Sequence, residues 1–514
     1  VVHDSLLYTF PDEFVHAYNA EQIVDHHHLF HSNPLLPVTS RYPGLEGATS
    51  ALMTLTGMTS FGAGMIIVGA ARLLLVGSLF FLFTRVTGSA RIAGLAVAVY
   101  TGTSNFLFWG AQFSYESIAL PLLALVLMVF AEREAAPDSR RREWLVPICL
   151  GTLAIVITHH MTSYALIVIL AALAIAYRVL NVDRPNPWPL LVFAFAATAT
   201  WLVVKAESTI GYLFPVLENA FNQTIRTASG ETAPRTLFHS SSTGVEIAGT
   251  PLEARLVALA GVALLGIAAL VGIREFLRRR PWEPLPVIFV IASVLFFGAL
   301  VLRFAPAAWE TGNRAGEFLF IGLAFVVSGA VYQALRRRAD ARRWRVATAL
   351  GLGVVLLSGA ISGWPWDMQL AKPIRVSAEG STIESEPLAL AEWASKNLPR
   401  GQRFAAPEAD GRLLLTPGGQ YAMTGQGPDI EDIVGEPGFP SWQKRILRSN
   451  RIRYVVADRR KIASDNVRGY FFTVPGSGTA GLLPVDVVHK FARLPAARLY
   501  DSGRIVLFDL KDRP

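Results

Sequence analysis

Ten runs of mainly apolar residues organise the chain, near 62–84, 89–109, 116–132, 143–160, 162–180, 187–205, 252–274, 284–303, 315–335 and 345–363. Each approaches the roughly 20 residues that a helix needs to cross a bilayer. Before them, residues 1–61 mix apolar and polar positions in a way that no span tolerates. Between them, 206–251 is rich in Ser, Thr, Asn and Gly, and a stretch of that length without a clear period is expected to be a mobile flap or a linker. After them the pattern becomes that of a soluble domain. Leu388–Leu398 has helical periodicity and ends at Pro399 and Gly401. Ser441–Asn450 reads as a helix feeding a buried strand at Arg451–Asp458, and Arg504–Leu510 reads as another. Pro417-Gly418-Gly419 and Gly425-Gln426-Gly427-Pro428 read as turns. The pattern therefore divides the chain into an outer first segment 1–61, a helical membrane part 62–363 and a small α/β domain 364–514.

Composition agrees with a polytopic membrane protein. Mean hydropathy is +0.39 and only 17% of the 514 residues are charged. The formal net charge of +8 sits mostly in short connections. Arg85 and Arg91, Arg133 to Arg142, Arg178 and Arg184, Arg274 to Arg280, and Arg336 to Arg345 fall on one set of loops. The intervening turns at 110–115 and near Met161 carry no Lys or Arg. The positive-inside rule puts the arginine-rich set in the cytoplasm. Residues 1–61, the loop 206–251 and the C-terminal domain are then extracytoplasmic. With ten spans and both ends outside, a further helix before Val1 is expected. No basic stretch interleaves with aromatic residues in the manner of a single-strand binder, so nucleic acid is not an expected partner. The lone Cys149 permits no intrachain disulfide.

Candidate chemistry concentrates in 12–46, which holds five of the ten histidines. Asp12 and Glu13 open it, and a carboxylate at a water–membrane boundary can take a proton from an acceptor hydroxyl. The alternative is that they solvate an interfacial helix. His27 and His31 stand four apart, which on one helix face suits a metal; interfacial contacts or phosphate are the alternative, and a divalent metal stays open. His159 and His160 form an imidazole turn between two spans. Arg72 lies near the middle of the first span, where a charge is costly and suggests phosphate recognition. Gln112, Tyr115 and Glu116 open one outer helix end, and Arg314 and Glu317 open another.

Together these residues resemble the GT-C superfamily of membrane glycosyltransferases, which includes protein O-mannosyltransferases and aminoarabinose transferases. They resemble more closely an actinobacterial and archaeal branch of it. The resemblance rests on Asp12-Glu13, Asn33-Pro34-Leu35-Leu36-Pro37, Tyr42-Pro43-Gly44-Leu45-Glu46, Phe113-Ser114-Tyr115-Glu116-Ser117, His159-His160-Met161-Thr162-Ser163 and Asn313-Arg314-Ala315. In the tail it rests on Ile452-Arg453-Tyr454-Val455-Val456 and Leu499-Tyr500-Asp501-Ser502-Gly503. The resemblance implies an α-helical polytopic fold, a polyprenyl-phosphate sugar donor, an extracytoplasmic acceptor and Asp12 as general base. The cations Arg72, His159, His160 and Arg314 would then face the phosphate, with Tyr115, Glu46 and Glu116 lining the site and Glu13, Glu46 or Glu116 available as a second carboxylate. Two other classes stay open: a transporter or flippase of a lipid-linked saccharide, and a noncatalytic cell-envelope scaffold.

Overall fold

The computed structural model describes residues 7–8, 10–33, 36–235, 237–238, 251–278, 282–337, 341–363, 377–378, 381–382, 385–423, 433, 438–459, 485–493 and 496–510. Two helices precede the membrane part, α1 (Pro11–His26) and α2 (Gly44–Thr56). Proline at the first turn and Glu13 at the third helical position start α1, with Glu13 Oε2 accepting the Phe10 N–H at 2.9 Å.

Every one of the ten apolar runs is helical. They form α3 (Ser60–Thr87), α4 (Ala90–Tyr100) with α5 (Ser104–Leu107), α6 (Glu116–Ala135), α7 (Leu145–Thr158), α8 (His160–Val179) and α9 (Trp188–Val204). After an intervening helix come α11 (Leu252–Leu277), α12 (Pro284–Leu302), α13 (Trp309–Arg337) and α14 (Ala341–Gly363). Among the described residues, six helices are long and apolar enough to cross a membrane, or seven if α4 and the helical segment after it count as one bent span. The protein is a multi-pass membrane protein. α9 has 17 residues and α7 has 14. At 1.5 Å per residue α7 reaches about 21 Å, short of the ~30 Å hydrocarbon core.

The run at 89–109 is not one straight span. It bends by 73° after Tyr100. Gly359 of α14 packs against the freed backbone there, and a Cβ on it would collide with the Gly102 carbonyl. Arg72 of α3 donates to the Phe106 carbonyl at 2.7 Å and stacks on the Phe106 ring, 4.0 Å from its centroid. The break is thus re-satisfied by a neighbouring helix.

The stretch 206–251 is not a structureless loop over its first half. Ser208–Ala228 is a 21-residue helix, α10. Its dense Ser, Thr, Asn and Gly content hides an amphipathic period, with Phe221 and Ile225 exposed and Ala220 buried. Residues 239–250 lie outside the described residues.

Three of the arginine-rich connections meet at one end of the bundle. Arg85 pairs with Glu132 at 3.4 Å, Arg133 with Glu134 at 2.6 Å and Arg184 with Glu134 at 3.8 Å. The histidine turn between α7 and α8 and the helices α1 and α2 occupy the other end. Between them lies one contiguous apolar core, including Leu79, Phe83, Tyr100, Leu123, Phe130, Leu173, Phe289 and Leu323.

The tail holds a five-stranded mixed sheet. Its strands are β3 (Arg403–Ala405), β4 (Tyr421–Met423), β5 (Tyr454–Asp458), β6 (Ala497–Asp501) and β7 (Ile505–Asp509), in the order β4-β3-β5-β7-β6. Preceding it is a two-stranded ribbon, β1 (Ser377–Ala378) with β2 (Ser381–Thr382). The pairs β4–β3 and β3–β5 are parallel, while β5–β7 and β7–β6 are antiparallel. All of β5 is buried, because both sheet faces are covered. Val455 and Ala457 face Leu447 and Phe491, whereas Tyr454 and Val456 face Leu390 of the helix α15 (Ser385–Asn397) and Leu414 of the helix α16 (Glu408–Leu415). The expected turn at 425–428 lies outside the described residues. Ala391 and Leu413 also pack into a cluster with Leu7, Tyr8, Phe14, Leu45 and Phe113, and Arg400 pairs with Asp25. The small domain thus sits against the first outer helices.

Candidate functional site

Positions 12, 16 and 19 of α1 are spaced four and three apart, so Asp12, His16 and Asn19 share one stripe. His16 and Asn19 are buried and Asp12 is exposed. His16 Nδ1 donates to Glu46 Oε1 at 2.7 Å, and Asn19 Nδ2 reaches the same oxygen at 3.3 Å. Glu46 Oε2 is buried and has no hydrogen-bond partner. Asn33, the first residue of the Asn-Pro-Leu-Leu-Pro passage, donates to Asn19 Oδ1 at 2.7 Å and accepts from the Leu36 N–H at 3.1 Å. Pro34 and Leu35 lie outside the described residues. Gly44 starts α2 directly against the end of α7, where a Cβ would overlap the Thr158 side chain and lie 2.9 Å from its Cα. Glycine at this point therefore brings Glu46 beside the His159-His160 turn.

Rings continue the cluster. Tyr115 stands 4.6 Å from His16 and 4.5 Å from His159, centroid to centroid, and Tyr42 stands 5.2 Å from His160. His159 Nδ1 bonds Thr162 Oγ1 at 2.8 Å, which leaves its Nε2 buried without a partner; His160 Nδ1 is in the same condition. Beyond Tyr115, Glu116 Oε2 accepts from Arg314 Nη1 at 3.3 Å. Glu317 lies one turn below Arg314, and both of its carboxyl oxygens are buried without a well-formed hydrogen bond. The buried Oδ1 of Asn313 and Nε2 of Gln112 are unpartnered too. Unpaired buried polar atoms are individually costly, and several of them lie among these residues.

The structure brings together His159, His160, Tyr115, Glu46, Glu116 and Arg314, and sets Asp12 at the open end of the same α1 stripe. It does not bring in the other expected residues. Glu13 lies about 100° around α1 from Asp12, is 2% exposed and accepts the Phe113 N–H at 2.9 Å through Oε1, so one of its oxygens joins α1 to the 105–115 segment while the other caps the start of α1. Arg72 serves the α4 break. His27 and His31 do not share a helix face, because α1 ends at His26 and His27 adopts a left-handed φ of 57°; His31 stacks on His28 instead, at 3.8 Å. Among the described residues no group of three or more His, Cys, Asp and Glu could hold a metal ion. In the cluster, Arg314 already occupies one of the Glu116 oxygens. His16, Asn19, Asn33 and Tyr42 went unmarked as site residues in the sequence, although the spacing of His16 and Asn19 from Asp12 was there to find them.

A family model, described as a family of unknown function (DUF6541), matches residues 10–454. The chain belongs to DUF6541. The DUF6541 match runs from the start of α1 to the first residue of β5, and so includes every residue of the cluster. No curated protein matches the sequence. Among solved structures, the chain is similar to the Archaeoglobus fulgidus oligosaccharyltransferase tethered with an acceptor peptide containing the NVT sequon. Identity is 13%, the TM-score is 0.55, and the likeness covers 90% of this chain and 67% of that one. It is also similar to the mycobacterial arabinofuranosyltransferase AftD, at 13% identity and a TM-score of 0.53, over 98% of this chain and 39% of that one. The DUF6541 chain thus spans about two fifths of AftD. ArnT from Cupriavidus metallidurans bound to undecaprenyl phosphate matches over 99% of this chain and 95% of its own, at 13% identity and a TM-score of 0.43. The fold of this DUF6541 member is the GT-C fold.

Proposed function

We propose that the chain is a membrane glycosyltransferase that moves a sugar from a polyprenyl-phosphate donor to an extracytoplasmic acceptor. The observation that carries this reading is Asp12, an exposed carboxylate at the open end of the buried His16–Asn19–Glu46 stripe. The GT-C fold, shared with an oligosaccharyltransferase and an arabinofuranosyltransferase, supports it. In this reading residues 1–61 form the outer first segment, 62–363 the membrane part, and 364–514 an outer unit that covers the site.

Asp12 accepts the proton of the acceptor hydroxyl as its oxygen bonds the anomeric carbon. The bond from that carbon to the phosphate oxygen breaks, and its electron pair leaves with the phosphate. A phosphate needs no strong acid to depart. It needs fixed donors where negative charge gathers, and the free Nε2 of His159 and the Arg314 guanidinium stand on that side of Tyr115. Glu13 is less suited as base, since both of its oxygens already accept backbone N–H groups.

The test is turnover of a panel of polyprenyl-phosphate sugars by the purified chain in nanodiscs. Asp12→Asn is expected to lose about 10²- to 10⁴-fold in rate while donor binding is kept. Glu13→Gln is expected to lose stability first. An Asp12→Asn protein with near-normal turnover overturns the reading. Export of a lipid-linked saccharide that tolerates Asp12→Asn but fails on Arg72→Ala would instead support transport.

A further inference from the structure

Away from the histidine cluster, two arginines stand together at the outer end of α12. Arg303 follows the last residue of α12, and Arg235 belongs to the segment after α10. The Arg235 N–H donates to the Phe304 carbonyl at 2.7 Å, and its guanidinium lies 4.8 Å from the centroid of the Trp309 ring. Gln223 Oε1 accepts from the Ala307 N–H at 2.6 Å, and Ala220 packs with Leu302, Ala305 and Ala308. These contacts clamp α10 and its following segment over the turn at 303–308.

Among the described residues neither guanidinium meets a carboxylate. Arg303 Nε is buried with no hydrogen-bond partner. Arg235 and Arg303 are both partly buried, and two such neighbouring cations that meet no carboxylate among the described residues are unfavourable unless an anion joins them. Trp309, Asn313 and Glu317 recur every fourth residue on α13, so whatever the arginines hold stands at the mouth of the stripe that leads to the unpartnered oxygens of Asn313 and Glu317. The approach is apolar: Val301, Phe304, Phe221 and Ile225 are all exposed around this end.

We propose that Arg235 and Arg303 form a binding site for the phosphate group of a lipid that enters from the bilayer. Guanidinium forks match phosphate oxygens in bidentate fashion, the indole of Trp309 fixes the plane of one fork, and the exposed apolar rim takes the chain. An isoprenoid carrier and a phospholipid headgroup present the same chemistry. The carrier form rests on the transfer reading above, whereas the phosphate site stands without it.

The test is equilibrium binding of a short polyprenyl phosphate, and of the matching polyprenol, to the full chain in phosphatidylcholine nanodiscs. Arg303→Gln and Arg235→Gln are each expected to weaken the phosphate by about 10- to 100-fold, the loss of one hydrogen-bonded charge contact, and to leave the polyprenol unaffected. Arg303→Lys keeps the charge without the fork and should recover only part. Asp12→Asn should bind as the wild type does, and near-normal transfer by that variant sinks the transfer reading while leaving this site standing. Nanodiscs doped with phosphatidylglycerol separate the sources: matched competition assigns the site to a headgroup, and no competition assigns it to the carrier. A well-folded double variant that binds polyprenyl phosphate with wild-type affinity overturns the proposal, as does inorganic phosphate competing as well as the lipid.

Discussion

Adjacent acids on a helix lie about 100° apart, and here that angle separates two roles. Asp12 is exposed beside the polar stripe, while Glu13 is buried and ties α1 to the Phe113 backbone. The distinction follows from helical geometry, but which acid turned outward depended on where Phe113 came to rest. Glu21, two turns further on, shows how burial tunes a carboxyl at this outer face. It accepts from Ser60 Oγ at 2.6 Å, and burial pushes its pKa up to about 7 against the opposing effect of that hydrogen bond. A carboxyl with a raised folded-state pKa contributes stability that is full below its unfolded value near 4.5 and is lost as pH rises through the folded value. The outer assembly should therefore melt at progressively lower temperature between about pH 4.5 and 7. At about 1.4 kcal/mol per pKa unit the effect is on the order of 3 kcal/mol. Glu21→Gln should flatten that slope in a melting series followed by tryptophan fluorescence; an unchanged slope would assign it to other groups.

Elements took their places through small residues and broken helices as much as through apolar faces. Gly44 lets α2 meet α7 at Thr158, which sets Glu46 next to the histidine turn. Gly44→Ala is expected to cost about 1–3 kcal/mol through overpacking and to displace Glu46 from His16. A lower Tm, partly restored by adding Thr158→Gly, is the expected result, and a Tm equal to wild type would show that the contact gives way freely. The bend after Tyr100 is of the same kind. Thr101, Gly102 and Thr103 signal only a weak point, and the 73° turn is held by Gly359 and Arg72 from other helices. The helix α10 is hidden in the sequence for a related reason. Its polar content matched that of a loop, while its apolar stripe has no partner in neighbouring sequence.

At the scale of the molecule, the ion-paired arginine end and the histidine end lie at opposite ends of the bundle. The charge rule makes the arginine end cytoplasmic. In a Cys149→Ser background, Ser229→Cys at the exposed end of α10 should react with a membrane-impermeant maleimide in intact cells, and Ser139→Cys, exposed between α6 and α7, should react only after permeabilisation. The reverse pattern would invert the topology and put the proposed acceptor in the wrong compartment.

Apolar runs of span length, alternating charge and a tail of ordinary polarity determined the helical membrane bundle and its α/β appendage, because the bilayer forces backbone polar groups to be satisfied within each segment. The strands at 454–458 and 505–509 were legible for a similar reason, since short, continuous, mainly apolar runs fit a sheet covered on both faces. Only the tertiary structure decided which polar residues meet. His16 and Glu46 are 30 residues apart and Glu116 and Arg314 are 198 apart. Local propensity carries no term for such pairs; they arise when packed helices leave a few buried polar atoms whose nearest partner belongs to a distant segment.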